Sequence, residues 1–191
     1  MARTETERSR AFVSSLRTKQ LLAGYRGEIL PGSLVLDVGC GSGTMAKAVE
    51  ETCGAKIEGA DITNLLVQDF PFHKLPEAWE TWPDRSFDIV MINDALHHMT
   101  AVIQLDTLRE SLRVGKKVLI FETYPTLVAK ALDLIMAYII YHGHEVVTLT
   151  HKSPEAWCEI LAGLGCRVET RSISKPSVLY PLRHFAIVAQ R

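Results

Sequence analysis

The segment from Leu34 to Gly43, LVLDVGCGSG, places an apolar run, an acid and three alternating glycines next to one another. The residues from Val35 to Val38 are typical of a strand that is buried on both faces of a parallel sheet. Glycines let the backbone turn sharply and approach a ligand that a Cβ atom would push away. The apolar periodicity of the next segment, Thr44 to Thr52, predicts a helix. The pattern therefore predicts the first half of a dinucleotide-type fold, with its ligand at the carboxyl end of the strand.

The spacing of the glycines separates two classes of ligand. Gly39-x-Gly41-x-Gly43 lacks the third glycine of the pyrophosphate-binding fingerprint, because Thr44 occupies that position. Asp37 would also place a negative charge beside the glycines, which suits a ligand ammonium or a structural hydrogen bond better than a phosphate. Nicotinamide-dependent oxidoreduction is therefore disfavoured. A glycine turn that only connects a strand to a helix is the alternative interpretation.

Two further motifs follow the glycine segment. The first is Gly59-Ala60-Asp61-Ile62, and the second runs from Ser86-Phe87-Asp88-Ile89-Val90 to Asp94-Ala95-Leu96-His97-His98. In this order and spacing, the three motifs resemble class I S-adenosylmethionine-dependent methyltransferases, most closely the methyltransferase type 11 group, over residues 34–104. The resemblance implies a doubly wound, Rossmann-like α/β sheet, mostly parallel with an antiparallel C-terminal strand. It also implies S-adenosylmethionine as cofactor and S-adenosylhomocysteine as product.

The resemblance predicts a cofactor site that begins in the glycine segment. That segment contributes Asp37, Gly39, Cys40, Gly41 and Gly43. Asp61 follows Gly39 by 22 residues, at the predicted tip of the second strand, where a carboxylate can accept hydrogen bonds from both ribose hydroxyls. Ile62 is expected to cover one face of the adenine. A solvated turn aspartate is the alternative for Asp61.

The rest of the predicted cofactor site comes from the third and fourth strands. The aspartate that the family usually places near the adenine amino group is not evident, and His73 of Phe72-His73 is assigned to that position. Asn93 and Asp94, at the end of the fourth strand, are expected to receive the methionine part of the cofactor. Asp94 could equally cap the following helix.

The catalytic residues stay open at this point. Methyl transfer requires alignment of the acceptor and exclusion of water, and it needs a base only when the acceptor arrives protonated. The candidates for that base are His97, His98 and Tyr124, the last from the segment Glu122-Thr123-Tyr124. Helix capping or support of a neighbouring residue is the alternative role for the two histidines.

No metal is expected, for two reasons. Adjacent helical residues such as His97 and His98 point about 100° apart. In addition, the four cysteines and seven histidines show no spacing of metal ligands. The same cysteine pattern gives no sign of a disulfide framework.

Length and composition predict one domain over residues 1–191, since 47% of residues are apolar and 23% charged. Residues 1–30 are expected to form a helical cap, and the resemblance makes 123–153 the variable segment that shapes the substrate pocket. That segment contains Tyr124, Tyr138, Tyr141, His142 and His144, which could also simply pack a helix against the sheet.

The net charge of −1 gives no broad positive field, so a small-molecule acceptor is favoured over nucleic acid.

The order of predicted elements is typical of a parallel sheet. Strands are predicted at 34–38, 56–60, 87–93 and 117–122, with a final antiparallel pair at 167–171 and 184–188. Helices are predicted at 6–27, 44–52, 103–112, 126–141 and 154–164, the last with Ser153 as its N-cap.

The remaining expectations concern location and alternatives. Residues 1–20 lack the apolar core of a signal peptide, and the longest apolar stretch, 127–141, is interrupted by Lys130 and Asp133. It falls short of the roughly 20 residues that span a bilayer, so a cytoplasmic protein without a membrane partner is expected. The oligomeric state is open. A protein or RNA methyltransferase and a noncatalytic cofactor-binding subunit are the alternative functions, and a methylated product from the purified chain alone would separate them.

Overall fold

The computed structural model describes residues 5–140, 149–173 and 182–191 of the chain. Seven strands lie within these residues: β1 (Leu34–Val38), β2 (Lys56–Asp61), β3 (Phe72–Lys74), β4 (Ile89–Asn93), β5 (Val118–Thr123), β6 (Arg167–Ile173) and β7 (His184–Gln190). The helices are α1 (Glu5–Gly24), α2 (Thr44–Cys53), α3 (Ala101–Val114), α4 (Leu127–Ile140) and α5 (Pro154–Gly163). Two short 3-10 helices span Glu77–Thr81 and Leu96–His98.

The strands form one sheet in the order β3-β2-β1-β4-β5-β7-β6. The pairings from β3 to β5 are parallel, whereas β7 runs antiparallel to both β5 and β6. This arrangement confirms the predicted fold. The strand order reverses between β1 and β4, and open α/β sheets bind their ligands at the carboxyl ends of the strands at such a point.

Two apolar layers cover the sheet, one on each face. On one face Leu36, Val90 and Ile120 pack with Leu108 of α3 and Trp157 of α5. On the other face Val35, Met91 and Phe121 pack with residues of α1 and α2, including Leu21 and Val49. Because side chains alternate along a strand, this second face continues to the strand ends as Asp37, Asn93 and Thr123. The apolar layer therefore gives way to polar side chains at the carboxyl edge.

Some predicted boundaries differ from the structure. The strand predicted to start at Phe87 starts at Ile89, because Phe87 forms only an isolated bridge to Gly115. The helix predicted from residue 103 starts at Ala101, where the side chain of Thr100 caps it. The Ser153 cap is confirmed, since its hydroxyl accepts from the Ala156 N–H. The 3-10 helices were not predicted.

Part of the predicted substrate segment lies outside the residues that the structure describes. Tyr141, His142 and His144 lie outside the described residues, and so does the side chain of Tyr138. Within the described residues, no helix combines the length and the apolar character needed to cross a membrane.

The docking of α1 gives a stability prediction. Leu21 is fully buried against the sheet, whereas the neighbouring Leu22 is only half-buried. We expect Leu21→Ala to lower the free energy of unfolding by about 2–5 kcal/mol, because it leaves a cavity in the apolar layer. Leu22→Ala is the matched control and should cost clearly less in a urea titration. Equal losses for the two variants would contradict this docking of α1.

Candidate active site

The glycine turn after β1 leaves a space beside its backbone. Gly39 and Gly41 adopt positive φ angles of 73° and 50°, which favour glycine. A Cβ on Gly39 would lie 2.5 Å from the Cβ of Ala95, so no larger residue fits there. A Cβ on Gly41 would meet no atom within 4 Å. The turn is therefore packed against the protein on one side and accessible to a ligand at Gly41.

Asp61 lies at the edge of this turn. Its Oδ2 accepts a hydrogen bond of 2.9 Å from the Gly41 N–H, and its Oδ1 accepts one of 2.7 Å from the Ile62 N–H. Carboxylate oxygens can each accept a second hydrogen bond, so both remain able to receive ligand hydroxyls. Ile62 follows directly, with 72% of its surface exposed. The structure thus brings Asp61, Ile62 and the glycine turn together.

A buried hydrogen-bonded chain joins the tips of β1 and β4. The Asn93 side-chain amide donates to Asp37 Oδ1 at 2.9 Å, and the Tyr25 hydroxyl donates to Asn93 Oδ1 at 2.7 Å. Burial raises the pKa of Asp37 to about 7, although the bond from Asn93 opposes this shift. Burial likewise raises the pKa of Tyr25 well above its ordinary value. A cationic ligand group beside Asp37 would favour its ionised form.

Asp94 is held by charged partners. Its Oδ2 lies 2.7 Å from Arg17 Nε and 3.4 Å from His184 Nε2, and its Oδ1 accepts from the Thr123 hydroxyl at 3.1 Å. Burial disfavours the ionised carboxylate, but Arg17 and His184 outweigh it and hold the pKa of Asp94 well below its usual range. Since Thr100 caps α3, Asp94 does not cap that helix.

Cys40 and His73 lie in different surroundings. Cys40 is buried beside the turn, and burial raises the pKa of its thiol to about 12, so the thiol stays protonated. His73 lies on β3, with Nε2 2.7 Å from Glu58 Oε2 and its ring against Trp82. Its assignment to the adenine end of the site stays a prediction.

His97 and Glu122 form a buried pair at the ends of β4 and β5. His97 Nδ1 donates to Glu122 Oε2 at 2.5 Å, and Glu122 Oε1 accepts from the Leu96 N–H at 2.8 Å. Because a carboxylate only accepts, the pair fixes a proton on Nδ1. Burial lowers the pKa of His97, but the charges of Glu122, Asp94 and Asp133 raise it to about 9. His97 is therefore protonated at neutral pH.

Asp133 and His151 extend this pair, and the sequence interpretation missed both. Asp133 Oδ2 lies 3.8 Å from His97 Nε2 and 2.7 Å from His151 Nε2. The main chain is joined as well, because the Thr150 N–H donates to the His97 carbonyl at 2.8 Å. The available signal was the acid inside the apolar helix α4, which the sequence interpretation used only as an interruption of a membrane span.

The other two base candidates have different environments. The ring of His98 lies 4.1 Å from that of His97 and is tilted by 47° to it. Partial burial together with the His97 charge lowers the pKa of His98 to about 4, although much of its surface is exposed. The Tyr124 hydroxyl donates to Ser172 on β6 at 3.3 Å, and Arg183 lies over its ring. The structure thus places Glu122 and both histidines together and directs the Tyr124 hydroxyl elsewhere.

Among the residues that the structure describes, two groups of side chains have donor atoms close enough to hold a metal. They are His97, Asp133 and His151, and Asp94, His97 and Glu122. In the first group the rings of His97 and His151 stack at 4.5 Å with only 17° between their planes. Nearly parallel imidazoles do not point their nitrogen lone pairs at one ion, whereas a metal needs convergent ligands. Metal-independent activity stays our prediction.

The geometry and the comparisons together define the class of protein. A GxGxG turn at the switch point of the sheet, hydrogen-bonded to an acid at the end of the next strand, is the arrangement of a class I S-adenosylmethionine-dependent methyltransferase. The chain belongs to the methyltransferase domain family, whose model matches residues 7–171. It is an enzyme that uses S-adenosylmethionine. No curated protein sequence matches the chain significantly.

Solved structures share the fold across nearly the whole chain. A SAM-dependent methyltransferase from Archaeoglobus fulgidus is 21% identical, with a TM-score of 0.71 over 95% of this chain and 94% of that one. Magnesium protoporphyrin IX methyltransferase from Synechocystis PCC 6803, solved with bound SAH, is 16% identical (TM-score 0.65; 100% and 90% covered). A cyclopropane-fatty-acyl-phospholipid synthase-like protein from Lactobacillus casei is 13% identical (TM-score 0.74; 100% and 95% covered).

The cofactor site is tested at Asp61. We expect Asp61→Ala to weaken S-adenosylhomocysteine binding by about 2–4 kcal/mol, because charge-assisted hydrogen bonds to the ribose are lost and water replaces them only in part. In calorimetry this is about 30- to 1000-fold in Kd. Asp61→Asn should lose less, since its amide oxygen still accepts. Asp106→Ala, on the exposed side of α3, is the control. Unchanged affinity in the alanine variant would make Asp61 a turn residue only.

The metal expectation has its own test. Extended dialysis against a chelator should leave both turnover and melting temperature unchanged, because removal of a metal lowers them only in a protein that holds one. Elemental analysis of the dialysed protein is the control that removal was complete. Activity that disappears and returns with one divalent ion would contradict this prediction and direct attention to His97, which both candidate groups share.

Proposed function

We propose that the enzyme methylates a small molecule whose acceptor atom, a hydroxyl oxygen or an amine nitrogen, carries a proton that His97 removes. The observation that carries this proposal is the buried His97–Glu122 pair, joined at 2.5 Å at the ends of β4 and β5. The methionine end of the cofactor is assigned to Asn93 and Asp94, three or four residues before His97 in the chain.

The reaction asks little covalent work of the protein. S-adenosylmethionine supplies an electrophilic methyl group on a sulfonium, so alignment and exclusion of water dominate. Asp61 and the Gly41 backbone are assigned to the nucleoside, and Asp37 offers the negative charge for the ammonium of the cofactor. These residues position the donor end of the reaction.

His97 is assigned to the acceptor end. Its Nδ1 is held by Glu122, so Nε2 is the nitrogen that can take a proton. Nε2 lies 3.8 Å from Asp133 Oδ2, which is beyond hydrogen-bond distance. Because the pKa of His97 is raised to about 9, the imidazole must first lose its own proton. The neutral, base-competent form therefore grows with pH up to about 9.

The assignment of the acceptor to the small molecules rests on the net charge of the chain. A net charge of −1 provides no broad positive surface for RNA. The direct test incubates the purified chain and labelled S-adenosylmethionine with a cell extract divided into small metabolites, RNA and protein. Label in the small-metabolite fraction supports the proposal. Label in RNA or protein, or cofactor binding without any product from the chain alone, supports one of the alternative functions.

The role of His97 predicts a pH profile. With saturating cofactor, kcat/KM should rise about tenfold per pH unit and level off near pH 9, because the neutral imidazole is the active form. Glu122→Gln removes the charge that raises this pKa, so its plateau should begin at lower pH. His97→Gln should lose the rising limb and about 10²- to 10⁴-fold in kcat.

The controls separate this role from binding and folding. His98→Gln should keep the rising limb, and all three variants should bind S-adenosylhomocysteine with unchanged affinity in calorimetry. A wild-type profile that is flat between pH 6 and 10 would eliminate His97 as the base.

A further inference from the structure

Among its described side chains, the helix α4 turns its one acid inward and several aliphatic residues outward. Asp133 turns inward, with 18% of its side chain exposed, and pairs with His151. Leu127 is 86% exposed, Leu134 58% and Ile135 53%. A surface helix normally directs its apolar side to the core and its charged side to water. An outward apolar side marks a surface that has a partner.

The exposed apolar residues are concentrated at one edge of the domain. We define the apolar rim as Val102, Ile103, Leu127, Val128, Leu134 and Ile135, all of which are exposed. They follow the carboxyl ends of the adjacent strands β4 and β5. Asp133 of α4 lies 3.8 Å from His97, and Val102 follows His97 by five residues, so each part of the rim belongs to an element that contacts or closely follows His97.

The amino edge of the sheet has far less exposed apolar surface than the carboxyl edge. Ile62, Leu65 and Val67 are also exposed, and they follow β2 at the same carboxyl edge as the rim. Among the described residues, the remaining large exposed apolar side chain is Leu30, which precedes β1 at the amino edge. The apolar surface is therefore specific to the edge that carries the active site.

We propose that the apolar rim docks the enzyme on the surface of a lipid bilayer, from which a lipid-soluble acceptor reaches His97. The second half of this statement rests on the proposed function. The helix α4 has 14 residues, which corresponds to about 21 Å, whereas the hydrocarbon core of a bilayer is about 30 Å thick. It therefore lies along the surface. The sequence predicts no membrane partner because its longest apolar stretch is too short to span a bilayer, whereas docking on the surface requires no spanning segment.

The chemistry of the rim favours lipid over protein. Its six side chains are aliphatic, whereas protein interfaces are enriched in Tyr, Trp, Met and Arg and carry hydrogen bonds. Lys130, exposed on α4, can extend its ammonium to the headgroups while its stem stays among the apolar residues.

The test is vesicle co-sedimentation of the full chain with phosphatidylcholine vesicles. We expect the wild type to bind, and 0.5 M salt to change the binding little, because burial of apolar surface drives it. The double variant Leu127→Gln/Leu134→Gln should lose about tenfold or more in partition. Leu30→Gln is the matched control, since Leu30 is 65% exposed at the opposite edge, and it should bind like the wild type.

Three results would overturn the docking. They are a wild type that does not sediment with vesicles, an equal loss in Leu30→Gln, and a dimer that the rim variant abolishes in sedimentation equilibrium. The last would assign the rim to a second copy of the chain. Vesicle binding is measured without methyl transfer, so a wild type that binds vesicles but methylates nothing keeps the docking and overturns the proposed function.

Discussion

The hydrogen bond of 2.9 Å from Asn93 to Asp37 joins the tips of β1 and β4 where the strand order reverses. Both side chains continue the sheet face that carries Val35 and Met91, so loss of this bond would leave the Asn93 amide N–H and Asp37 Oδ1 without each other as partners at the end of an apolar layer. The Tyr25 hydroxyl completes the chain, which ties α1 to the same point. The sheet can therefore carry buried polar groups at this edge, because these three side chains hydrogen-bond to one another.

Paired charges surround that point. Arg17 with Asp94, His97 with Glu122, and His151 with Asp133 each join a buried or half-buried carboxylate to a cationic or protonatable partner. Removing a charge from water costs several kcal/mol, and its partner offsets that cost only in good geometry. Such pairs add little net stability. Their effect is positional, because each carboxylate fixes the orientation of the group beside it.

The sequence was sufficient where function depends on short-range geometry. The glycine turn and Asp61 lie in consecutive strand–turn units, so their meeting follows from a parallel sheet alone. Arg17 and Asp94 are 77 residues apart, and His151 and Asp133 are 18 residues apart, so no local pattern specifies either meeting. His73 shows the same limit: the register of β3 on β2 places it near Glu58, and that register is set by packing. Local chemistry was therefore predictable, and partners brought by tertiary packing were not.

The carboxyl edge reverses the usual distribution of polarity in a globular domain. Carboxylates and histidines occupy its interior, and aliphatic side chains occupy its surface. The two halves of this reversal are linked through α4, because the rotation that turns Asp133 toward His151 necessarily turns Leu134 and Ile135 outward. A substitution that placed a polar residue at the rim would leave the inner pairs intact, whereas loss of Asp133 would remove the polar contact that favours this rotation. The exposed apolar surface is thus the structural consequence of pairing His151 with a helix that carries a single inward acid.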